Sequence, residues 1–267
     1  MKLTSSGPWE LVAEDYDRYL TPLFGPFCEA ALELAGVARG HRVLDVATGP
    51  GTLARAAHQR GASVCALDVA EGMLARLQER LEADGVRDVE VVQGDGHALP
   101  QADDSVDAAF SMFGVIFFTD TDQGLAELAR VVRPGGRVVV SSWPPVTKSP
   151  MMHTLSQAVT RNLPMGPPTP EQLPLNSPVA IRAALAQAGL EEIEVRRVVV
   201  PSRYESAAEA IDRFTRSAAP LRLLARAMGP FAWRPLRDAA VATLEEEHTF
   251  PLTLDLPAFV SKGVKPR

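Results

Sequence analysis

A glycine-rich turn preceded by an acidic residue is the first part of this sequence whose spacing could do chemistry. The stretch LDVATGPGTLA, at residues 44–54, contains Gly49-x-Gly51-x-x-Ala54, which fits the turn that receives a pyrophosphate in dinucleotide-binding folds. Asp45 stands just ahead of these glycines. Because a carboxylate repels a pyrophosphate and stabilises an ammonium group, this turn favours a ligand that carries a cation.

Two further aspartates are spaced for an adenosine ligand. Asp68 follows Gly49 by about 20 residues, the offset of a ribose-binding carboxylate, and a carboxylate can accept hydrogen bonds from both ribose hydroxyls. Asp95 can accept a hydrogen bond from an adenine amino group. An adenosine ligand with no phosphate and with a free amino group is S-adenosylmethionine, and we expect its amino group near Asp45. The three acids together predict this cofactor.

The acids are positioned by apolar runs that alternate with helical patterns. These runs are RVLDVA, SVCALDV, VEVVQGD, VDAAFSMF and RVVVSSW. Such alternation is typical of a mostly parallel sheet that is covered on both faces. Ligands of open α/β sheets bind beyond the carboxyl ends of the strands. Since Asp45, Asp68 and Asp95 each come at such an end, we expect them along one edge of the sheet.

The pattern changes after Trp143, where a proline-rich segment contains a short helical pattern near residues 152–162. A helix and a sixth apolar run, EEIEVRRVVVP, follow. Residues 206–247 predict helices that are broken near Pro220 and Gly229–Pro230, ahead of a final strand in LTLDLPAFVSKGVK. A helical stretch between the last two strands is predicted to be a cap over the sheet.

Composition narrows the class of protein. The 267 residues are 46% hydrophobic and carry a formal net charge of −6, so we expect a packed globular protein and no nucleic-acid partner. The cysteines, Cys28 and Cys65, form no metal or disulfide pattern, which suits a reducing compartment. No signal peptide and no window of roughly 18 apolar residues is visible. We therefore predict a soluble cytoplasmic protein without a membrane span or a metal.

The segment from about Arg42 to Trp143 resembles the class I S-adenosylmethionine-dependent methyltransferases. It is most similar to the branch related to ubiquinone and menaquinone biosynthesis and to small-molecule natural-product methyltransferases. VLDVATGPGTLA resembles the first motif of the family, with Ala47 where a further glycine is common. ALDVAEGML resembles the second motif, GDGHALP the third, and DAAFSMFGVIFF the fourth strand and its exit.

The resemblance implies roles for individual residues. Asp68 would hold the ribose, Met73 and Asp95 the adenine, and Ser111, Met112 and Phe113 the sulfonium side. The N-terminal helix often closes over the cofactor in this branch, which adds Tyr16 and Tyr19. His153 follows the fifth strand and is the candidate general base. The full predicted cofactor set is Tyr16, Tyr19, Asp45, Ala47, Gly49, Gly51, Asp68, Val69, Met73, Gly94, Asp95, Gly96, His97, Ser111, Met112 and Phe113.

The fold that the resemblance implies is α/β, a doubly wound, seven-stranded, mostly parallel sheet of Rossmann-like methyltransferase type. Its strand order is 3-2-1-4-5-7-6 with strand seven antiparallel, and a helical cap is inserted between the last strands. We predict a single domain over residues 1–267. Its parts are an N-terminal helical lid (1–40), a cofactor-binding core (41–145), a substrate-side cap (146–176 and 204–250) and the last strand (251–267).

The expected function is in-line transfer of a methyl group to an oxygen, carbon or nitrogen atom of a small metabolite of secondary metabolism. The cap is rich in apolar residues, including Phe214, Leu221, Leu223 and Phe231, which favours an apolar or aromatic acceptor. The oligomeric state stays open, with a homodimer as one alternative.

Other interpretations stay open at this point. The same fold could bind the cofactor structurally or catalyse another reaction such as a cyclisation, and a non-catalytic partner subunit is a further alternative. A nicotinamide-dependent oxidoreductase fits the glycine spacing, but it explains neither Asp45 nor Asp95. For single residues, Asp68 could cap a helix, His97 could cap a loop, and Trp9 could serve packing alone.

Overall fold

The strands of the chain form one sheet. A computed structural model describes residues 3–163 and 173–267. Its strands are β1 (Arg42–Val46), β2 (Ser63–Asp68), β3 (Glu90–Gln93), β4 (Val106–Met112), β5 (Val132–Ser142), β6 (Glu191–Tyr204) and β7 (Leu252–Val264). The sheet has seven strands in the order β3-β2-β1-β4-β5-β7-β6. β7 runs antiparallel to β5 and β6, and the other pairs are parallel. The predicted strand order and direction are confirmed.

Two helices precede the sheet, and the others lie between its strands. They are α1 (Ser6–Tyr19), α2 (Thr21–Ala35), α3 (Thr52–Gln59), α4 (Glu71–Ala83), α5 (Thr121–Val131), α6 (Pro150–Thr160), α7 (Pro178–Gln187), α8 (Ala207–Ser217) and α9 (Ala219–Glu247). With the sheet order, they confirm an α/β fold of the predicted class.

The central strands carry the main core. β1 pairs with β2 on one side and β4 on the other, and Leu44, Val46 and Phe110 are completely buried. A strand covered in this way is stabilised by an unbroken apolar run rather than by alternation. This burial explains why the core strands could be recognised in the sequence as short apolar runs. Asp45 is the second-last residue of β1, so it lies at the carboxyl edge of the sheet.

The N-terminal helix α1 has a small apolar cluster of its own. Val12 and Ala13 pack with Ala70 and Met73 at the start of α4, and Ala219 of α9 completes the cluster. Polar contacts hold the same junction, because Glu10 Oε2 accepts a hydrogen bond of 2.7 Å from the Gly72 backbone N–H. α1 is therefore fixed over the strand-to-helix turn that follows β2. The division of the chain into lid, core and cap remains a prediction.

The helices between β6 and β7 begin and break as their sequence indicates. Ser206 Oγ accepts a hydrogen bond from the Glu209 backbone N–H at 3.2 Å, which caps α8. α8 ends just before Pro220, and α9 is kinked at Gly229, whose φ of 74° is not helical. Part of the predicted cap, residues 164–172, lies outside the described residues.

One prediction for the cap is wrong. Phe231 is 95% exposed and does not line a pocket. The chain leaves helical geometry at Gly229 and resumes it at Pro230, so the residue that follows lies on the outer side of the bend. Phe214 and Leu221, by contrast, are partly buried against the main core.

Candidate functional site

A cavity of about 330 Å³ opens at the carboxyl edge of the sheet, where the chain leaves β1, β2, β3 and β4. Residues of α1 and the segment before it, including Trp9 and Tyr16, form another wall. Twelve predicted site residues line it: Tyr16, Ala47, Gly49, Asp68, Val69, Met73, Gly94, Asp95, Gly96, His97, Met112 and Phe113. The structure thus brings most of the predicted set together in one cavity.

Asp68 joins two turns on the cavity wall. Its Oδ2 accepts a hydrogen bond of 2.8 Å from the Gly49 backbone N–H, and its Oδ1 accepts one of 2.9 Å from the Ala70 N–H. Burial raises the pKa of the Asp68 carboxyl, and the two backbone hydrogen bonds oppose that shift. Asp68 therefore caps the start of α4, as one interpretation of the sequence proposed, and it also faces the cavity. Each oxygen accepts up to two hydrogen bonds, so both can still receive a hydroxyl.

The glycine-rich turn uses its small residues in different ways. Gly49 lines the cavity with a φ of 55°, and a Cβ there would meet no atom within 4 Å. Gly51 does not line the cavity; a Cβ there would lie 2.2 Å from Leu77 Cδ1, so this glycine allows close packing of the turn on α4. Ala47 has a φ of 56°, a left-handed conformation that costs a non-glycine residue about 1–2 kcal/mol.

Asp45 lies beneath this turn rather than on the cavity surface. Its exposed fraction is 1%, and its Oδ2 accepts a hydrogen bond of 2.6 Å from Thr48 Oγ1. Among the described residues, Oδ1 has no hydrogen-bond partner. Burial raises the pKa of Asp45 to about 7, although the Thr48 hydroxyl and the Ala54 backbone N–H oppose the shift. A buried carboxylate with one free oxygen is costly and gains from any cation that approaches it.

Asp95 and His97 form a hydrogen-bonded pair at the far end of the cavity. Asp95 Oδ1 accepts hydrogen bonds from the His97 backbone N–H at 2.9 Å and from His97 Nδ1 at 2.6 Å. These contacts lower the pKa of Asp95, the backbone bond most, so its carboxyl stays ionised. His97 Nε2 accepts a 3.2 Å hydrogen bond from the Asp120 N–H. An accepting Nε2 requires the neutral ring with the proton on Nδ1, the form that donates to Asp95.

The sequence left open whether His97 faces the cofactor site or caps a loop, and in the structure it does both. It lines the cavity, and it also joins the loop after β3 to the loop before α5. Its ring packs on Phe118 at a centroid distance of 4.7 Å, and Gln123 Nε2 donates a 2.9 Å hydrogen bond to its carbonyl.

Aromatic side chains on the cavity wall were missed from the sequence. Trp9, Phe117 and Phe118 line the cavity, and Trp9 packs edge-on against Phe117 at 4.9 Å. Trp9 and Tyr16 stand seven residues apart on α1, a spacing that places both on one helix face and would have been a usable signal. Burial raises the pKa of the Tyr16 hydroxyl, so it stays protonated at neutral pH.

Phe113 connects the cavity with the core behind it. Its ring stacks on Trp143 at a centroid distance of 3.9 Å and an interplanar angle of 10°. Trp143 therefore has a packing role, and this aromatic pair supports the cavity wall from behind.

Four of the predicted residues besides Asp45 lie away from the cavity lining: Tyr19, Gly51, Ser111 and His153. Tyr19 lies near the guanidinium groups of Arg18, Arg213 and Arg216 at 5.4–5.9 Å, so it packs α1 against α8.

Ser111 and His153 have their own surroundings. Ser111 is buried, and its Oγ accepts a 3.0 Å hydrogen bond from the Val115 N–H. His153 is half-buried in the first turn of α6. Whether either contacts a ligand remains a prediction.

Within residues 3–163 and 173–267, no group of three or more His, Cys, Asp or Glu side chains could hold a metal ion. Within the same ranges, no helix is both long and apolar enough to cross a membrane.

Known proteins resemble this chain in sequence and in fold. Residues 43–136 match the family profile described as "Methyltransferase domain". A demethylmenaquinone methyltransferase of Thermus thermophilus is 42% identical over 120 residues, which are 44% of this chain and 54% of that protein. The chain spans about half the length of the curated relatives that it matches.

Solved structures extend the likeness of fold over nearly the whole chain. The YcgJ protein of Bacillus subtilis superposes with a TM-score of 0.60 at 18% identity, over 90% of this chain and 98% of that one. The [4+2]-cyclase SpnF superposes with a TM-score of 0.56 at 18% identity, over 91% of this chain and 81% of that one. At such identities the likeness is one of fold alone.

Proposed function

We propose that this chain, whose residues 43–136 match a methyltransferase domain family, is a class I S-adenosylmethionine-dependent methyltransferase that methylates a small, apolar or aromatic metabolite. The observation that carries the proposal is one cavity walled by Asp68, Asp95 and the glycine-rich turn. Carboxylates at two neighbouring strand ends suit the ribose and adenine of one adenosine group.

The residues of the cavity fit this cofactor in their chemistry. Asp68 is already fixed by the Gly49 and Ala70 N–H groups, so its remaining lone pairs are oriented for the ribose hydroxyls. Asp95 is ionised and held by His97, so it can accept a hydrogen bond from the adenine amino group. We assign Val69, Met73 and Gly96 to the apolar faces around the adenosine.

Asp45 supports the same cofactor through its charge. Its buried Oδ1 lacks a partner among the described residues, and the carboxyl pKa of about 7 shows that ionisation is disfavoured in the free protein. An ammonium group above the turn would favour the ionised form. A pyrophosphate would oppose it, which argues against a dinucleotide at this site.

The residues that line the cavity would position the reacting groups rather than form a bond to the methyl group. When bound, S-adenosylmethionine would supply a methyl group carried on a sulfonium sulfur. The leaving group of the transfer is then a neutral sulfide. Met112 and Phe113 on the wall exclude water, and an apolar wall favours a step in which charge disappears. The protonated Tyr16 hydroxyl can donate a hydrogen bond to a ligand. Holding the acceptor in line is the main contribution.

The acceptor side is proposed from the cap. We assign His153 as the base for an acceptor that must lose a proton, because it lies on α6, the first α-helix after β5. The division into lid (1–40), core (41–145) and cap (146–176 and 204–250) is part of the same proposal. We also place the reaction in the cytoplasm and in secondary metabolism; the free cysteines, Cys28 and Cys65, support a reducing compartment.

Calorimetric titration with S-adenosylhomocysteine and, in parallel, with NAD tests the cofactor. We expect binding of the first alone. Binding of NAD without S-adenosylhomocysteine would overturn the proposal. Transfer of a labelled methyl group to candidate acceptors then tests the reaction.

A second candidate function is a non-methylating reaction such as a cyclisation. The fold shared with a [4+2]-cyclase makes it worth testing, although that likeness extends to the fold only. Tight binding of S-adenosylhomocysteine with conversion of an acceptor, but without incorporation of labelled methyl, would favour this alternative.

A further inference from the structure

The first part of α9 differs in charge from the rest of the chain. We call residues 219–237, with the sequence APLRLLARAMGPFAWRPLR, the α9 arm. It contains four arginines and no acidic residue, although the whole chain carries a formal net charge of −6. Its apolar residues include Leu223, Met228 and Trp233, which are only partly buried. A basic helical segment with incompletely buried apolar residues is typical of a surface that meets a partner.

The bend in the α9 arm presents an aromatic side chain to solvent. Phe231 follows the kink at Gly229 and is 95% exposed, and its neighbours Pro230 and Ala232 are exposed too. An isolated exposed apolar residue needs no explanation, but this one lies at the tip of a bend between exposed basic residues.

The arginines beside Phe231 are available to an anionic partner. Arg226 and Arg234 are exposed and form no ion pair with any residue in the described ranges. Arg237, by contrast, is paired with Asp212 at 2.7 Å and with Asp238 at 2.9 Å. Asp212 and Asp238 are thus already paired, and the described residues show no ion pair for the two arginines that flank Phe231.

We propose that the α9 arm docks on an anionic lipid membrane, with Phe231 inserted among the acyl chains and Arg226 and Arg234 at the lipid phosphates. Charge complementarity selects this partner, because the arm carries four arginines and no acid in a chain whose formal net charge is −6. Only the start of the arm comes near the cavity: Ala219 packs in the cluster that Leu3 and Trp9 join, and both of these line the cavity. The inference does not depend on the proposed reaction.

Vesicle sedimentation tests the proposal. The full chain is mixed with vesicles of phosphatidylcholine alone or of phosphatidylcholine and phosphatidylglycerol in equal parts. We expect binding to the anionic vesicles only, and weaker binding as salt rises above about 0.1 M. Phe231→Ser should weaken binding about tenfold, and Arg226→Gln or Arg234→Gln about fivefold each. Val179→Ser is the matched control, since Val179 of α7 is 79% exposed and should leave binding unchanged.

Several outcomes would overturn the proposal. These are failure of the wild-type chain to sediment with anionic vesicles, equal binding to both vesicle types, and equal effects of Phe231→Ser and Val179→Ser. A dimer in analytical ultracentrifugation that Phe231→Ser dissociates, without vesicle binding, would assign the arm to a second copy of this chain instead. Both variants replace exposed side chains, so unfolding curves should match the wild type and rule out misfolding.

Discussion

The carboxyl edge of the sheet and the helical cap beside it position their side chains by different means. At the edge, Asp68 and Asp95 reach the cavity from turns where backbone N–H groups fix each carboxylate. Beside the edge, Tyr19 of α1 meets the arginines of α8, and in the cap Phe231 of α9 faces solvent. None of the cavity-lining residues comes from α6, α8 or α9.

This difference shows where the recognition of each ligand is encoded. A cofactor bound by strand ends needs small residues, acids and positive φ angles at fixed spacing, and these leave a pattern in the sequence. An acceptor bound by helices needs only shape and a few side chains, whose spacing depends on how the helices pack. Substitutions on the two sides should therefore differ in their effect on cofactor affinity.

The largest effect is expected at Asp68. In Asp68→Ala, the Gly49 and Ala70 N–H groups lose their acceptor, so the free energy of unfolding should fall by about 2 kcal/mol. Affinity for S-adenosylhomocysteine should fall about 100-fold, because the ribose also loses its partner. Urea unfolding and calorimetry measure the two. Asp88→Asn, at a side chain 80% exposed, is the control and should change neither. Unchanged affinity in Asp68→Ala would remove Asp68 from the site.

A smaller effect is expected at His97, and two variants divide its contacts. In His97→Asn, the side chain can still donate a hydrogen bond to Asp95 but is too short to reach the Asp120 N–H. In His97→Gln, the side chain can reach the Asp120 N–H but loses its hydrogen bond to Asp95. Each should weaken binding of S-adenosylhomocysteine about fivefold. Glutamine should also reduce the preference for this ligand over its inosine analogue, which lacks the adenine amino group. An equal preference in both variants would mean that His97 only stabilises the loops.

Ala47→Gly should change stability and leave affinity nearly the same. Ala47 has a φ of 56°, so glycine removes backbone strain and should raise the free energy of unfolding by about 0.5 kcal/mol, after its own entropy cost. Ala56→Gly, inside α3, is the matched control and should lower it by about 1 kcal/mol. Urea unfolding measures the change in the free energy of unfolding for both variants. A decrease in both would show that Ala47 is not strained.

A similarly small effect on cofactor affinity is expected at His153. His153→Gln changes a half-buried side chain of α6 that does not line the cavity, so affinity for S-adenosylhomocysteine should stay within about twofold. A larger loss by calorimetry would join the cap to the cofactor site and weaken the contrast between the two regions.

The sequence predicted the sheet side more completely than the cap side, for physical reasons. Buried parallel strands and left-handed turns leave local signatures, which is why Gly49, Asp68 and Asp95 were found. Trp9 was taken as packing, because nothing local tells which face of α1 meets a cavity. The exposure of Phe231 depends on the direction that the chain takes after Gly229. The apolar composition of the segment does not predict that direction.

Gly51 and Tyr19 show the same limit at single positions. The motif grouped Gly51 with Gly49, but its neighbour is Leu77 of α4, a tertiary contact. Tyr19 stands close to Tyr16 in the sequence, yet it lies on the face of α1 that meets α8. Spacing predicts that a residue belongs to an element; only packing decides what it touches.

The central claim is that ionised Asp45 beneath the turn attracts the amino group of the cofactor. Its carboxyl pKa of about 7 lies above the ordinary value of 3.8, so the folded chain holds a proton there and its stability falls as pH rises from about 4 to 7. Asp45→Asn removes this dependence and should make the free protein more stable at pH 8 by about 1–2 kcal/mol.

The most direct test is calorimetric titration of wild type and Asp45→Asn with S-adenosylhomocysteine between about pH 5.5 and 7.5. Because the cation prefers the carboxylate, wild-type affinity should rise with pH until it levels off near the Asp45 pKa of about 7. Asp45→Asn should bind about tenfold or more weakly at the upper pH and should lack this rise. Equal affinity of the two proteins across the range would contradict the account.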